Sequence, residues 1–241
     1  MPGQGTSTGM GTGTGAGTGT GVGAGSLTGL REAALSGLRE EAGELEQCMA
    51  VLAACGRDPA SMDVAAGDRM LLRAHRALAG RDLELALRCH ACAEVSAVRL
   101  APDTVPPARP RTALLGRGGG LRQPTYGDLL GLPAGDEGPA ELLRRCVVGS
   151  PSRAPTDADF ELVDDSLAGP LLFACPECGA EVEQGIDVQT VVVRALMGLL
   201  EEFDMEVHLL ASAYRWDLAT IEALPRARRR RLAALAADDR R

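Results

Sequence analysis

Two Cys-x-x-Cys pairs are the residues in this sequence whose type and spacing are typical of metal binding. The four cysteines are Cys89, Cys92, Cys175 and Cys178. A strand-like run precedes each pair and a second one follows it, which predicts a β-hairpin with two thiols at its turn. We therefore predict a first zinc knuckle at residues 82–100 and a second one at residues 170–187.

The turn residues of the second knuckle favour this interpretation. Pro176 stiffens the turn, and Gly179 can adopt the positive backbone angle that brings the second thiol back towards the first. One knuckle supplies only two ligands, whereas a structural zinc ion takes four. The two pairs are therefore predicted to form a single site of four thiolates, which leaves the zinc no open position for a substrate.

The cysteine pairs have two other interpretations. They could be unrelated turns whose thiols are free. A thioredoxin-like redox pair requires its Cys-x-x-Cys at the end of a strand and the start of a helix. Gly179, Glu181 and Glu183 indicate a turn and an exposed strand instead. Free thiols are therefore the main alternative to zinc.

The composition narrows the class of protein. The chain has 241 residues and a net charge of −8, and all 25 basic residues are arginine. This charge argues against a general nucleic-acid-binding protein. The sequence has no run of 18 apolar residues and no secretory signal, and its paired cysteines favour metal binding under reducing conditions. We therefore expect a cytoplasmic protein that does not span a membrane.

The sequence contains no recognisable catalytic constellation. It lacks a glycine-rich phosphate loop before a lysine, a nucleophile elbow, and a histidine with carboxylates at metal spacing. His75 falls beside the apolar face of a predicted helix, which favours a packed core histidine over a ligand. We therefore expect a protein that is not an enzyme and has no small-molecule substrate.

Hydrophobic periodicity predicts an α+β fold that is mainly helical, with the two hairpins joined in a zinc-ribbon-like site. Residues 1–25 alternate glycine with small residues and are predicted to be a flexible tail. Residues 26–241 are predicted to be a single zinc-stabilised domain, with an irregular connection at 101–120. Helices are predicted at residues 27–55, 68–79, 139–148 and 157–167, and within 187–237. A further short helix is expected to start at Thr125 or Asp128 and to continue through Leu132.

The longest predicted helix follows the second knuckle. Asp187 is its predicted N-cap, and an apolar stripe continues from Val188 to Tyr214. After it, Asp217 is expected to cap a short helix, and Pro225 suits the first turn of a last helix.

Five arginines in the last helix are the predicted partner-binding residues: Arg226, Arg228, Arg229, Arg230 and Arg231. Because unpaired arginine is costly to bury, we expect them to stay in water or to pair with carboxylates of a neighbouring subunit. Reversing the charge of Arg228, Arg229, Arg230 and Arg231 should then leave the isolated fold and its zinc intact. A solvated helix face is the alternative, and nucleic acid is disfavoured because no aromatic residues are interleaved for stacking.

Several motifs together resemble a known family. They are Gly67-Asp68-Arg69, Arg76-Ala77-Leu78, Gly80-Arg81-Asp82, Arg144-Arg145-Cys146, Cys175-Pro176-x-Cys178-Gly179, Glu206-Val207-His208 and Tyr214-x-Trp216. Their order and spacing resemble the T4-type baseplate protein family of contractile phage tails and contractile injection systems. The sequence departs from that family in its first cysteine turn, which lacks the usual proline and glycine, and in its Gly/Thr-rich tail.

The resemblance implies a structural or assembly component of a contractile baseplate, without catalysis. Its partners would be other baseplate, tube or spike subunits, and it would lie in or associate with an assembled tail-like particle. The alternative function is a zinc-ribbon regulatory protein that binds nucleic acid through its arginine-rich C-terminus.

Overall fold

The structure, a computed structural model, describes residues 43–109 and 111–239 together with Leu30, Leu35 and Leu38. The predicted tail, residues 1–25, lies outside the described residues. So does most of residues 27–42, which form the first part of the helix predicted at 27–55. Within them, helices combine with small antiparallel sheets. The α+β prediction is confirmed at this level.

The described part of the chain contains eight helices: α1 (Glu44–Ala54), α2 (Val64–Ala79), α3 (Tyr126–Leu129), α4 (Glu137–Cys146), α5 (Asp157–Val163), α6 (Val188–Tyr214), α7 (Leu218–Ala223) and α8 (Arg226–Asp238). Its strands are β1 (Leu83–Arg88), β2 (Val95–Leu100), β3 (Thr112–Leu114), β4 (Gly119–Arg122), β5 (Val147–Gly149), β6 (Ala168–Ala174) and β7 (Glu181–Asp187). The strands form the antiparallel sheets β1–β2, β3–β4–β5 and β6–β7.

The main hydrophobic core lies between α1, α2 and α6. Leu71 of α2 and Val192 and Leu196 of α6 are fully buried in it. Asp187 caps α6 as predicted, because its side chain accepts a hydrogen bond of 2.9 Å from the backbone N–H of Gln189. None of the helices in the described residues is both long enough and apolar enough to cross a membrane.

Asp68 connects α2 with α3, α6 and the segment before β6. Its carboxylate is buried and accepts hydrogen bonds from the Tyr126 hydroxyl (3.0 Å), the Gln189 amide (3.0 Å) and the backbone N–H of Leu167 (2.8 Å). The preceding Gly67 leaves room for the Tyr126 ring, with which a Cβ would clash. Burial raises the pKa of Asp68, although its donors act in the opposite direction.

A second, smaller core is enclosed by the β3–β4–β5 sheet, α4 and α5. Two predictions are wrong here. Residues 101–120 are not wholly irregular, since they include β3 and the start of β4, and the helix predicted at 139–148 ends at Cys146 because Val147 begins β5. Strands of three or four residues are too short to show alternation in the sequence.

The sequence R-x-P-T-x-x-D occurs twice, at residues 122–128 and 153–159, and folds in the same way each time. The threonine and the aspartate form a capping box at the start of α3 and of α5. The arginine binds the same aspartate through both terminal nitrogens at 2.6–2.9 Å. At Asp159, the hydrogen bonds from Arg153 and Thr156 hold the pKa well below its usual range. This repeat was not among the predicted motifs, and it fixes both short helices.

Candidate metal centre

The β1–β2 and β6–β7 hairpins bring the four predicted ligands together, although 83 residues separate Cys92 from Cys175. All four Sγ atoms lie within 4.8 Å of one another. The Sγ–Sγ distance is 3.7 Å between Cys89 and Cys178 and 3.7 Å between Cys92 and Cys175. Each of these close contacts joins one hairpin to the other.

The two cysteine turns share a backbone geometry. In both, the amide of the first cysteine donates to the carbonyl five residues later at 2.8 Å, and the amide four residues later donates back to the carbonyl of that cysteine. The residue at this fourth position has a positive φ in both turns, 72° at Gly179 and 61° at Ala93. The first turn therefore closes like the second without a glycine, although an L-residue in this conformation is strained.

The thiols of one turn differ in their tendency to ionise. The backbone N–H groups of Cys92 and Ala91 donate to the sulfur of Cys89 and lower its pKa to about 6. For Cys92, the backbone N–H of Glu94 lowers the pKa, but hydrogen bonds with the other thiols and burial raise it to about 12. One thiolate is therefore favoured, whereas further negative charge in the cluster requires a neighbouring cation.

The spacing of the donors fits a tetrahedral metal ion. Around a zinc ion with Zn–S distances of about 2.3 Å, sulfur atoms lie about 3.8 Å apart. The two close contacts between the hairpins measure 3.7 Å. A disulfide would require sulfur atoms about 2.05 Å apart, and the cysteines are free. The four thiols are therefore positioned to hold one metal ion.

The centre has a buried side and an open side. Cys89 and Cys175 are buried in a small cluster with Val182, and Phe173 packs against this cluster. The second cysteine of each pair is exposed. Apolar packing on one side therefore holds the first cysteine of each pair, while the second cysteine faces solvent.

His75 is buried, as predicted, and the other three cysteines also lie in the apolar parts of the fold. Cys48 and Cys146 are buried and Cys55 is half-buried. Burial raises the pKa of Cys48 to about 12 and the pKa values of Cys55 and Cys146 to about 11. His75 is buried, and burial lowers its pKa. None of these residues belongs to the metal-binding cluster of the described chain.

The structure places the five predicted partner-binding arginines in different environments. Arg229 is only 3% exposed, and its Nε donates to Glu206 at 2.6 Å. Its guanidinium group also lies 4.6 Å from the centre of the Phe203 ring. Arg228 and Arg231, in contrast, are exposed to solvent.

Arg226 and Arg230 also contact α6. They approach Glu202 at 3.5 and 3.2 Å, and Arg226 donates to the backbone carbonyl of Leu78 as well. We expected these arginines to stay in water or to pair with a neighbouring subunit, but for Arg226, Arg229 and Arg230 helix α6 of the same chain supplies carboxylates. The sequence signal that could have revealed this was the spacing of Glu202 and Glu206, which puts both carboxylates on one helix face.

Comparison of the chain with protein-family models, with curated proteins and with solved structures gave no match. Within the described part of the chain, the four-cysteine cluster is the group of side chains whose arrangement is typical of a metal site.

Proposed function

We propose that the four cysteines hold a structural zinc ion in a zinc-ribbon-like site, and that the protein is a non-catalytic structural or assembly component of a contractile, phage-tail-like baseplate. The observation that carries the proposal is the meeting of four free thiols from two distant hairpins at tetrahedral spacing. Zinc is favoured because a set of four thiolates, closed to further ligands, is typical of its structural sites.

The position of the centre supports a structural role. A two-stranded hairpin is at best marginally stable alone, and the described chain has one such hairpin on each side of the centre. A metal ion bound by Cys89, Cys92, Cys175 and Cys178 would cross-link them. Between the hairpins in sequence lies the β3–β4–β5 sheet with α4 and α5, so the same cross-link would close a loop around that unit.

The residues that carry the family resemblance also have structural roles. Asp68 joins three elements through its buried hydrogen bonds. Arg69 donates to the carbonyl oxygens of Ala65 and Asp165 at 2.8 and 2.7 Å, and thereby ties the segment before β6 to α2. Both side chains are thus used to hold elements of the fold together, which is the role expected of them in a structural subunit or assembly factor.

The nucleic-acid-binding alternative has less support. Three of the five arginines pair with Glu202 or Glu206 of the same chain, and these two carboxylates offset two of the five positive charges. Binding to a DNA duplex should weaken steeply with salt if the exposed arginines contact phosphates. Absence of such binding at low salt would argue against this alternative.

The proposal is tested in two measurements on the full chain. Elemental analysis should find about one zinc ion per chain. Affinity-tagged protein, expressed in the cells that encode it, should sediment with contractile tail-like particles, whereas a variant lacking Cys175 and Cys178 should not. Zinc without particle association would contradict the baseplate role alone, and well-folded protein without metal would contradict the zinc site.

A further inference from the structure

The β6–β7 hairpin carries an acidic face that has no basic partner in the described chain. Glu181 and Glu183 are two residues apart in β7, so their side chains lie on the same face. Both are exposed, and neither forms an ion pair with another described residue. Leu172, which pairs with Glu183 in the strand register, is 58% exposed beside them. These three residues are the acidic face.

Helix α8 carries a face of opposite charge. Arg228 and Arg231 are three residues apart and Leu235 follows four residues later, so all three lie on one side of the helix. All three are exposed, and Leu235 is 49% exposed. Arg229 points to the other side, where Glu206 neutralises it. Arg228, Arg231 and Leu235 are the basic face.

The two faces complement each other but are attached to different ends of α6. Strand β7 leads directly into the first residue of α6. Helix α8 contacts α6 at Phe203 and Glu206, about 25 Å further along the helix axis. Each face combines two like charges with one leucine, and neither is neutralised or covered within the described chain. The occupant that fits each face is therefore the other face, presented by another molecule.

We propose that the acidic face of one copy of this protein binds the basic face of a second copy. The two surfaces are different, so the contact is head-to-tail and each added copy leaves one face available for the next. The leucines supply apolar contact, and the charge pairs set the orientation. Exposed ion pairs contribute little and are screened by salt, so the association is weak and salt-sensitive. It does not depend on the proposed baseplate role.

Sedimentation equilibrium of the purified full chain tests this interface. Between about 10 µM and about 1 mM protein, the average mass should rise with concentration at low salt and fall when salt is added. The variants R228E/R231E and E181R/E183R should each weaken self-association at least about tenfold, because like charges then face each other. An equimolar mixture of the two variants should associate again, since the reversed faces are complementary.

Matched controls separate the faces from the total charge. R73E/R117E reverses two other exposed arginines and changes the net charge by the same amount as R228E/R231E, but should leave self-association unchanged. L235D tests the basic face without changing an arginine and should weaken the association as well. Circular dichroism and the zinc content establish that each variant is folded. A wild-type chain that stays monomeric at about 1 mM, an equal effect of the control, or a mixture that does not reassociate would overturn the proposal.

Discussion

The cysteine centre and the arginine-rich helix α8 differ in where their partners come from. A cysteine pair supplies half of a four-ligand site, so the sequence of one knuckle predicts that a second half-site exists. An arginine is satisfied by any carboxylate within reach. A run of arginines in the sequence therefore predicts that carboxylate partners are needed, but not whether those partners lie in α6 or in another molecule.

Within α8, the degree of burial decides whether an arginine needs a carboxylate partner from the same chain. Arg229 is only 3% exposed and pairs with Glu206 at 2.6 Å, because an unpaired buried charge is costly. Arg228, the preceding residue, is exposed and needs no protein partner. Adjacent residues of one type thus have opposite roles, whereas the cysteines of each knuckle act together.

The largest expected effect is at the cysteine centre. Structural zinc contributes on the order of 10–16 kcal/mol of apparent binding free energy in small domains. Replacing Cys175 with Ser should therefore abolish zinc binding and much of the folded protein. The measurements are the zinc content and thermal unfolding followed by circular dichroism.

Cys55→Ser provides the matched control for this prediction. Cys55 is half-buried and lies outside the metal-binding cluster, so the variant should keep its zinc. If Cys175→Ser retained the wild-type zinc content and melting temperature, the four-thiolate site would be wrong.

The two environments in α8 predict a difference between neighbouring arginines. Arg229→Ala removes the closer partner of Glu206, leaves it only the exposed Arg230 at 3.6 Å, and should destabilise the fold by about 1–3 kcal/mol. Arg228→Ala should change the free energy of unfolding by no more than about 0.5 kcal/mol, since its side chain is exposed. Urea denaturation measures both values. Equal effects of the two substitutions would remove the distinction drawn between the two faces of α8.

The sequence predicted the elements whose signals are local and repeated. The stripe from Val188 to Tyr214 gave α6 with its cap at Asp187, and periodicity in Met70, Leu71 and Leu78 gave α2. The cluster of four cysteines was predictable because the spacing of the two Cys-x-x-Cys pairs is specific. The β3–β4–β5 sheet was not, since its short strands are defined by pairing between distant segments. The Arg229–Glu206 pair likewise requires knowing which helices pack together.

Asp68 is a second buried charged group, and it differs from Arg229 in its partners. Its carboxylate accepts hydrogen bonds from neutral donors and has no ion-pair partner among them. Asp68→Asn places an amide NH₂ opposite the backbone N–H of Leu167 and should destabilise the fold by about 1–3 kcal/mol. Burial raises the folded-state pKa of Asp68, so its favourable contribution is complete below about pH 4 and declines as the pH rises through the folded-state value. The difference in stability between wild type and variant, measured in urea from acid to neutral pH, should therefore shrink as the pH rises. A difference that is constant or grows with pH would contradict a raised pKa.

The smallest expected effect compares the two cysteine turns with each other. Ala93 and Gly179 occupy equivalent left-handed positions, with φ of 61° and 72°. Ala93 is exposed, and a Cβ added at Gly179 would meet no atom within 4 Å, so exchanging the two residue types changes mainly the backbone conformational energy. Ala93→Gly should stabilise the first turn by about 0.5–1 kcal/mol, and Gly179→Ala should destabilise the second by about 1 kcal/mol.

Thermal unfolding of the zinc-loaded protein measures both. Because the proposed zinc ion would join the two turns, each change should also shift the concentration of chelator that removes half of the zinc, in the same direction as the stability. Effects of the same sign at both positions would show that the turns do not share the conformation that makes them two halves of one site.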